Sequence, residues 1–349
     1  MKLKKAIVAM SGGIDSSFCV HFLQKAGYQV SGLTMRLSND SETITRAKKM
    51  AEVLGIKHQI VDIRDVFKKA IMDYFAYEYT QARTPNPCLR CNKFIKFGIL
   101  MQIAKKAKSF FATGHYARVL RDREKNIYEL RKGIDAKKDQ SYVLYALKQD
   151  HLSRLLLPLG DFTKEQVYRE IKKLKLPLRP GKESQDICFI PDRDYAGFIK
   201  KHIPNYVPHA GNIVTPEGEV LGRHKGIIHY TIGQRKGLGI AHNEPLFVCG
   251  FDVKKNQVVV TTNKNLGAST FLVREVSFMH RKYLRDDFIV RVKIRYHHIP
   301  QTARVKRIGS KIVQVKFKNL QRAITPGQGA VFYKNDLVLG GGVIAQVIR

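Results

Sequence analysis

The stretch Lys5–Ala26 constrains the fold more than any other part of the chain. A short apolar run, Lys5–Met10, passes directly into Ser11-Gly12-Gly13-Ile14-Asp15-Ser16, and Ser16–Ala26 then carries Phe18, Cys19, Phe22 and Leu23 at helical spacing. A strand feeding a helix through paired glycines suits an anion. Glycine lets the backbone approach a phosphate without a Cβ clash. The helix start adds unpaired N–H groups and the positive end of the dipole. Asp15 would repel phosphate unless a cation stands between them, which points to Mg²⁺. The loop lacks the Gly-Lys-Ser/Thr ending of the Walker type.

The same alternation continues downstream. Tyr28–Met35, Lys57–Val61 and Ser109–Thr113 read as strands, and Thr43–Leu54, Val66–Gln81 and Asn92–Lys106 as helices. Strands alternating with helices build a parallel sheet. Ligands of such sheets sit at the C-terminal strand ends, so Ser11–Asp15, Arg36–Asp40 and Gly114–Tyr116 are expected to share one crevice. Leu176–Ser184 reads as a loop and Asp194–His202 as one last helix. After Pro204, short β runs take over: Leu246–Val253, Gln257–Thr262, Phe288–Tyr296, Thr302–Ile308, Lys311–Phe317, Gly329–Tyr333 and Asp336–Ile344. Evenly spaced short strands suit small barrels. The expected architecture is an α/β N-terminal domain with a doubly wound parallel sheet (1–204), a small β-rich domain (205–269) and a C-terminal β-barrel (270–349).

Charge narrows the partner. The chain has 62 Lys and Arg against 29 Asp and Glu, a net charge of +33 over 349 residues. Such a field attracts polyanions, nucleic acid first among them. No apolar run approaches the ~20 residues of a membrane span, and the apolar run after Met1–Lys5 is too short for a secretory signal. Five cysteines, an odd number, without such a signal point to reduced thiols in the cytoplasm.

Cys88 and Cys91 lie in Thr84–Asn92 (TPNPCLRCN) ahead of a helix, with two prolines stiffening the approach. A thiol close to a helix start has a lowered pKa, and Arg90 and Lys93 add positive potential, so Cys91 is a candidate nucleophile. Half a zinc site is the rival reading, but Cys188 has no second Cys or His at a partner spacing. A three-cysteine iron–sulfur cluster from Cys88, Cys91 and Cys188, with an open fourth position, is another alternative. Cys188 stands in Ser184–Ile190 (SQDICFI), where flanking Ile and Phe also suit a core residue. Beside Cys91 it gains a use, one thiol carrying sulfur as a persulfide and the other resolving it. Cys19 and Cys249 read as core.

The loop at residues 11–16 resembles the SGGxDS loop of N-type ATP pyrophosphatases, which split ATP between the α and β phosphates and adenylate a carbonyl oxygen. Over essentially its whole length the chain resembles the bacterial tRNA-specific 2-thiouridylase family. The resemblance rests on Ala9–Ser17, Gly32–Arg36 (GLTMR), Thr84–Gly98, Ala112–Arg118 (ATGHYAR), Lys138–Leu144 (KDQSYVL) and Ser184–Pro191. His229–Ile240 (HYTIGQRKGLGI), Arg295-Tyr296 and Thr325–Tyr333 (TPGQGAVFY) complete it.

The resemblance implies that Ala9, Met10, Ser11, Gly12, Gly13, Ile14, Asp15, Ser16, Met35 and Gly114 bind ATP. It implies that Asn86, Pro87 and Cys88 face the target base. Cys91 would be the nucleophile and Cys188 the persulfide carrier, the two forming a disulfide after transfer. His115, Lys138, Asp139, Gln140, Arg295, Tyr296 and Gln328 would contact tRNA of the Lys, Glu and Gln type through its anticodon. A persulfide-bearing protein would deliver the sulfur. Adenylation of the C2 oxygen of the wobble uridine makes AMP the leaving group, and sulfur replaces it.

Two departures stand out. Many family members carry Asp where Cys88 stands, and many have a longer segment with a Trp and a Cys where Leu37–Thr45 is short. The competing functions are an adenylating ligase or amidotransferase for a small molecule, and an RNA-binding protein without catalysis. The first needs neither two thiols nor this charge; the second does not need Asp15 and Ser16.

Overall fold

The structure is a computed structural model and describes residues 3–39, 42–174, 176 and 187–348. Most of the expected loop Leu176–Ser184, the Ser184–Asp186 end of the second cysteine motif and Asp40 lie outside these. Strands β1 (Lys5–Ala9), β2 (Gln29–Arg36), β3 (Lys57–Asp62) and β4 (Phe110–Ala112) appear where the apolar runs place them. The next two strands, β5 (Ala117–Asp122) and β6 (Ile127–Lys132), form an antiparallel hairpin, and β7 is Leu155–Leu156. The N-terminal sheet has the order β3-β2-β1-β4-β7 and is parallel throughout. Chain order reverses between β1 and β4, so the crevice outside their C-terminal ends is the switch point where such sheets bind ligands. The loop after β1 and the residues Thr113–Tyr116 after β4 meet there.

Helix α1 (Ile14–Lys25) follows β1, and α2 (Glu42–Val53) packs on β2 and β3. Helix α3 is continuous through Arg64–Phe67, Lys68–Asp73 and Tyr74–Thr80, and α4 through Pro87–Cys91, Asn92–Leu100 and Met101–Lys106. The middle segment of each is wound as a π-helix, a rare form concentrated at functional sites. Helix α5 (Lys164–Lys173) starts from a capping box between Thr163 and Gln166, and α6 is Tyr195–His202.

Beyond residue 204 the chain is β-rich, as its texture implied. Strands β8 (Gly211–Val214), β9 (Val220–His224), β10 (Leu246–Asp252) and β11 (Gln257–Thr262) form a sheet of order β10-β11-β8-β9. Strands β12 (Gly267–Phe278), β13 (Asp287–Lys293), β14 (Gln301–Gly309), β15 (Ile312–Arg322), β16 (Gly329–Lys334) and β17 (Leu337–Ile348) follow. Because β12 pairs with both β15 and β17, these six close into a barrel.

The barrel is not a separate bead. The β5–β6 hairpin extends its sheet through β6 and β17, where Leu337 pairs with Arg131. Asp336 braces the joint, accepting from Arg118 at 3.1 Å and Arg131 at 2.9 Å. One hydrophobic cluster holds Ile7, Leu33 and Phe111 of the parallel sheet together with Val331, Tyr333 and Val338 of the barrel.

Candidate active site

The nucleotide loop is shaped by what surrounds its glycines. Gly12 has φ +70°, and a Cβ there would lie 2.6 Å from the Arg46 and Ala47 backbone. Any other residue would be strained and would push α2 away. Arg46 Nε donates to the Ser11 carbonyl at 3.2 Å. Gly13 caps α1 with no side-chain bond, and the Ser16 and Ser17 hydroxyls donate to its carbonyl at 3.0 and 2.9 Å. Met10 is fixed through its backbone: its N–H donates to Leu33 and its carbonyl accepts from Thr34 Oγ1, both at 2.9 Å. The N–H groups opening α1 therefore face the crevice from a rigid turn, as an anion site requires.

Asp15 has a partner the sequence did not suggest. Lys164 Nζ, at the start of α5, donates to both its carboxylate oxygens at 2.7 and 2.9 Å, and Tyr116 Oη donates at 2.9 Å. The Lys164 side chain is only 10% exposed. The capping box just before it, Thr163 with Gln166, was the one readable signal for α5. Gly114 packs on the same acid, since a Cβ there would come within 3.1 Å of Asp15 Cβ. The acid expected to call for Mg²⁺ is thus already neutralised by a lysine.

The thiols form a second, chemically different region. Asn86 caps α4, its Oδ1 accepting from the Cys88 N–H at 3.1 Å, with Pro87 opening the first turn. Cys88 is therefore at the helix start, and Cys91 is a full turn further in. Cys188, far away in sequence, is brought to the same region by its neighbour Phe189, which packs on the buried group that also holds Cys91. Phe189 pins it there by packing edge-on against Phe67 at 5.8 Å and Phe75 at 5.5 Å. Cys91, Phe189 and Met35 all pack on the same buried group of Ile63, Phe67, Ile71 and Ile95. Cys88 and Cys188 are exposed and Cys91 half-buried, and all five cysteines of the chain are free thiols.

The expectation of a thiol pKa lowered by the helix end is corrected here. Surrounding protein desolvates the recess even though solvent reaches the side chains. Desolvation pushes Cys88 and Cys91 up and Cys188 up to about 12. The expected helpers are also engaged elsewhere. Arg90 Nε donates to the Ala70 carbonyl at 2.7 Å and its guanidinium stacks over Tyr74 at 4.0 Å, while Lys93 pairs with Glu275 of β12 at 3.2 Å. Among the described residues no three His, Cys, Asp or Glu side chains converge as metal ligands, so nothing below is routed through a cluster.

The remaining candidates line the seam between the parallel sheet and the barrel. His115 is buried, its Nδ1 bonded to Thr113 Oγ1 at 2.8 Å, and burial together with Lys96 holds it well below the usual imidazole range, hence neutral. Asp139 is buried and accepts from Gly133 N–H, Ser141 N–H and Ser141 Oγ at 3.2, 3.1 and 3.0 Å. Gln140 Oε1 accepts from the Tyr116 N–H at 3.0 Å, which ties the Lys138–Gln140 loop to the residue that holds Asp15. Gln328 Nε2 donates to the Thr84 carbonyl at 2.8 Å, docking the barrel on the irregular segment leading to Cys88. Arg295 donates to the Arg322 carbonyl at 3.0 Å, and Tyr296 stacks edge-on with Tyr142 at 6.4 Å.

Known proteins match this arrangement over its full length. Residues 4–192 match the tRNA methyl transferase HUP domain, 196–262 the tRNA methyl transferase PRC-barrel domain and 268–344 the aminomethyltransferase beta-barrel domain. The tRNA-specific 2-thiouridylase MnmA 1 of Caldanaerobacter subterraneus subsp. tengcongensis is 43% identical, covering 99% of this chain and 99% of its own. The tRNA-specific 2-thiouridylase MnmA of Clostridium acetobutylicum is 42% identical over 98% of this chain and 99% of its own, and that of Clostridioides difficile 39% over 98% of each. The chain belongs to the tRNA-specific 2-thiouridylase family. The domain names speak of methyl transfer, but identity at this level over complete chains outweighs a domain name.

A thiol stands at Cys88, and the link between β2 and α2 is short. Sequence reasoning missed Lys164, because its meeting with Asp15 spans 149 positions. It also missed the role of the β5–β6 hairpin, whose partner strand lies some 200 positions further on. Among the described residues no helix is long and apolar enough to cross a membrane.

Proposed function

We propose that this enzyme thiolates C2 of the wobble uridine in tRNA, using ATP to activate the C2 oxygen and Cys188 to carry the incoming sulfur. The observation that supports the reading is the packing of Cys91, of Phe189 beside Cys188, and of Met35 at the end of β2 on one buried group, with Cys88 one helical turn before Cys91. Ser11–Ser16 and Gly114 cradle the phosphates, with Met35 at the β2 end beside the base. Mg²⁺ accompanies the nucleotide. The uridine flips from its stack into the mouth of the crevice, where Asn86 reads its edge and Pro87 and Cys88 form the wall.

The C2 oxygen attacks the α-phosphorus and pyrophosphate leaves. Two routes then replace AMP. In the first, the terminal persulfide sulfur of Cys188 attacks C2 and AMP departs. Cys91 thiolate then attacks Cys188 Sγ, which releases the thiolated base and leaves a Cys91–Cys188 disulfide. In the second, Cys91 attacks Cys188 Sγ first and hydrosulfide leaves to attack C2. Either way an external thiol reductant resets the disulfide. The net charge of +33 supports a polyanionic substrate, and His115, Lys138–Gln140, Arg295, Tyr296 and Gln328 are the proposed tRNA-side contacts. In this reading the sulfur donor is a persulfide-bearing protein, and the reaction runs in the cytoplasm, where thiols stay reduced. The 1–204, 205–269 and 270–349 divisions serve as adenylation domain and two tRNA-holding modules.

The test combines purified protein, ATP, Mg²⁺, a sulfide source and unmodified tRNA, with nucleoside mass spectrometry as readout. Thiolated uridine with AMP and pyrophosphate is the expected result; ATP turnover without sulfur incorporation rejects the reading. Cys188→Ser should lose transfer from a persulfide donor protein while retaining ATP binding.

A further inference from the structure

The recess presents a chemical problem. Sulfur transfer needs anionic sulfur, yet the three thiols lie where burial favours the neutral form. The two nearest basic side chains on their own helix are committed elsewhere, Arg90 to Ala70 and Tyr74 and Lys93 to Glu275.

One cation remains. Lys96 sits on α4 within the π-wound segment Asn92–Leu100. In a π-helix the backbone bonds join positions five apart, and Met101 N–H donates to the Lys96 carbonyl in that manner. Positions five apart, which an ordinary α-helix turns well away from each other, are brought toward one face. Cys91 and Lys96 are five apart. Lys96 is half-buried, and its ammonium makes no hydrogen bond or ion pair among the described residues. An ammonium without a protein acceptor keeps its charge available to an anion that arrives beside it.

We infer that Lys96 is the positioning residue that holds sulfur in its anionic form at this mouth, its ligand being the thiolate or persulfide anion of Cys91 and Cys188. The π-turn of the same helix brings Cys91 toward it, Cys88 stands one turn before Cys91, and Cys188 reaches this recess through its neighbour Phe189, which packs on the same buried group as Cys91. Among the described residues, the Lys96 charge favours the thiolate form at Cys88, Cys91 and Cys188, while the neighbouring thiols oppose it at Cys91 and Cys188. His115, held neutral, does not compete as a cation. The inference deepens the proposed thiolation reaction and rests on it for its purpose, though its test does not.

The experiment measures iodoacetamide alkylation of each cysteine at fixed pH by peptide mass spectrometry, in the wild type, Lys96→Gln and Lys96→Arg. The thiolate displaces iodide, so the rate reports the thiolate fraction. A nearby opposite charge moves a pKa by ~1–3 units, and lower basicity offsets part of the gain in reactivity. Lys96→Gln should therefore slow Cys91 and Cys188 by about three- to tenfold, with Lys96→Arg restoring most of the rate. Buried Cys19 and Cys249 stay unmodified in every variant and report an intact fold.

Unchanged alkylation of Cys91 and Cys188 in Lys96→Gln overturns the inference. So does a weakened ATP affinity with unchanged thiol reactivity, which would make Lys96 a nucleotide contact. If Lys96→Gln exposes Cys19 or Cys249, the comparison of Lys96→Arg with the wild type decides: equal rates support the inference and a loss as large as that of a neutral side chain overturns it. Failure of the thiolation assay itself leaves these rates readable, so the two readings fail separately.

Discussion

The glycine loop and the thiol recess present charge in opposite ways. The loop offers backbone N–H groups at a helix start, and its one acid is already paired with Lys164 and Tyr116. The thiols of the recess come from two distant segments and are desolvated. A site made of backbone is set by local sequence, whereas a site made of converging side chains is set by packing.

Changes confined to one region should leave the other working, and the largest such effect belongs to the nucleophile. Cys91→Ser should abolish sulfur incorporation while ATP affinity stays within twofold; a parallel loss of ATP binding, read by calorimetry, would break the separation. Gly12→Ala should act on the loop alone. The left-handed φ and the clash with Arg46 and Ala47 cost about 1–3 kcal/mol, roughly ten- to a hundredfold in ATP affinity. Thiol alkylation should not change.

Acidity sharpens the contrast. Because burial raises the thiol pKa values, the thiolate fraction that Lys96 favours is small near pH 7 and grows as pH rises. Alkylation of Cys188 should climb about tenfold per unit from pH 7 to 9 without a plateau, while the backbone donors of the loop do not titrate and ATP binding should stay flat. A plateau below pH 8 would place the recess in a more polar setting than its packing indicates. The smallest effect should come from the scaffold common to both. Tyr142 is fully buried and exchanges hydrogen bonds with Gly329 N–H and carbonyl at 3.0 Å. Tyr142→Phe should cost about 1–3 kcal/mol in urea unfolding and leave the ratio of the two activities unchanged.

What the sequence displayed follows the same division. The strands of the parallel sheet, the glycine loop and the cysteine motifs are local patterns, and each appears where its residues place it. The short runs after Pro204 gave away a barrel, but not β12, whose closing contacts with β15 and β17 are long-range. Helix α5 was announced by Thr163 and Gln166, a cap easily passed over because its apolar face is narrow. The direction of the thiol pKa shift was misread because the helix dipole is a local effect, whereas the desolvation that overrides it comes from Phe189 and other residues far off in sequence. Arg90 and Lys93 looked available for the same reason: their partners Tyr74 and Glu275 are not neighbours in the chain.

The attachment of β6 to β17 makes the obvious boundary a poor place to cut. A fragment stopping near residue 204 would carry a ribbon whose outer edge has lost its neighbour, and with it the Asp336 anchor for Arg118 and Arg131. Two-stranded ribbons are marginal by themselves, and bare edges recruit other chains. Dissecting this enzyme into modules should therefore yield sticky pieces, and grafting its N-terminal half onto a foreign RNA-binding partner would require the barrel to travel with it.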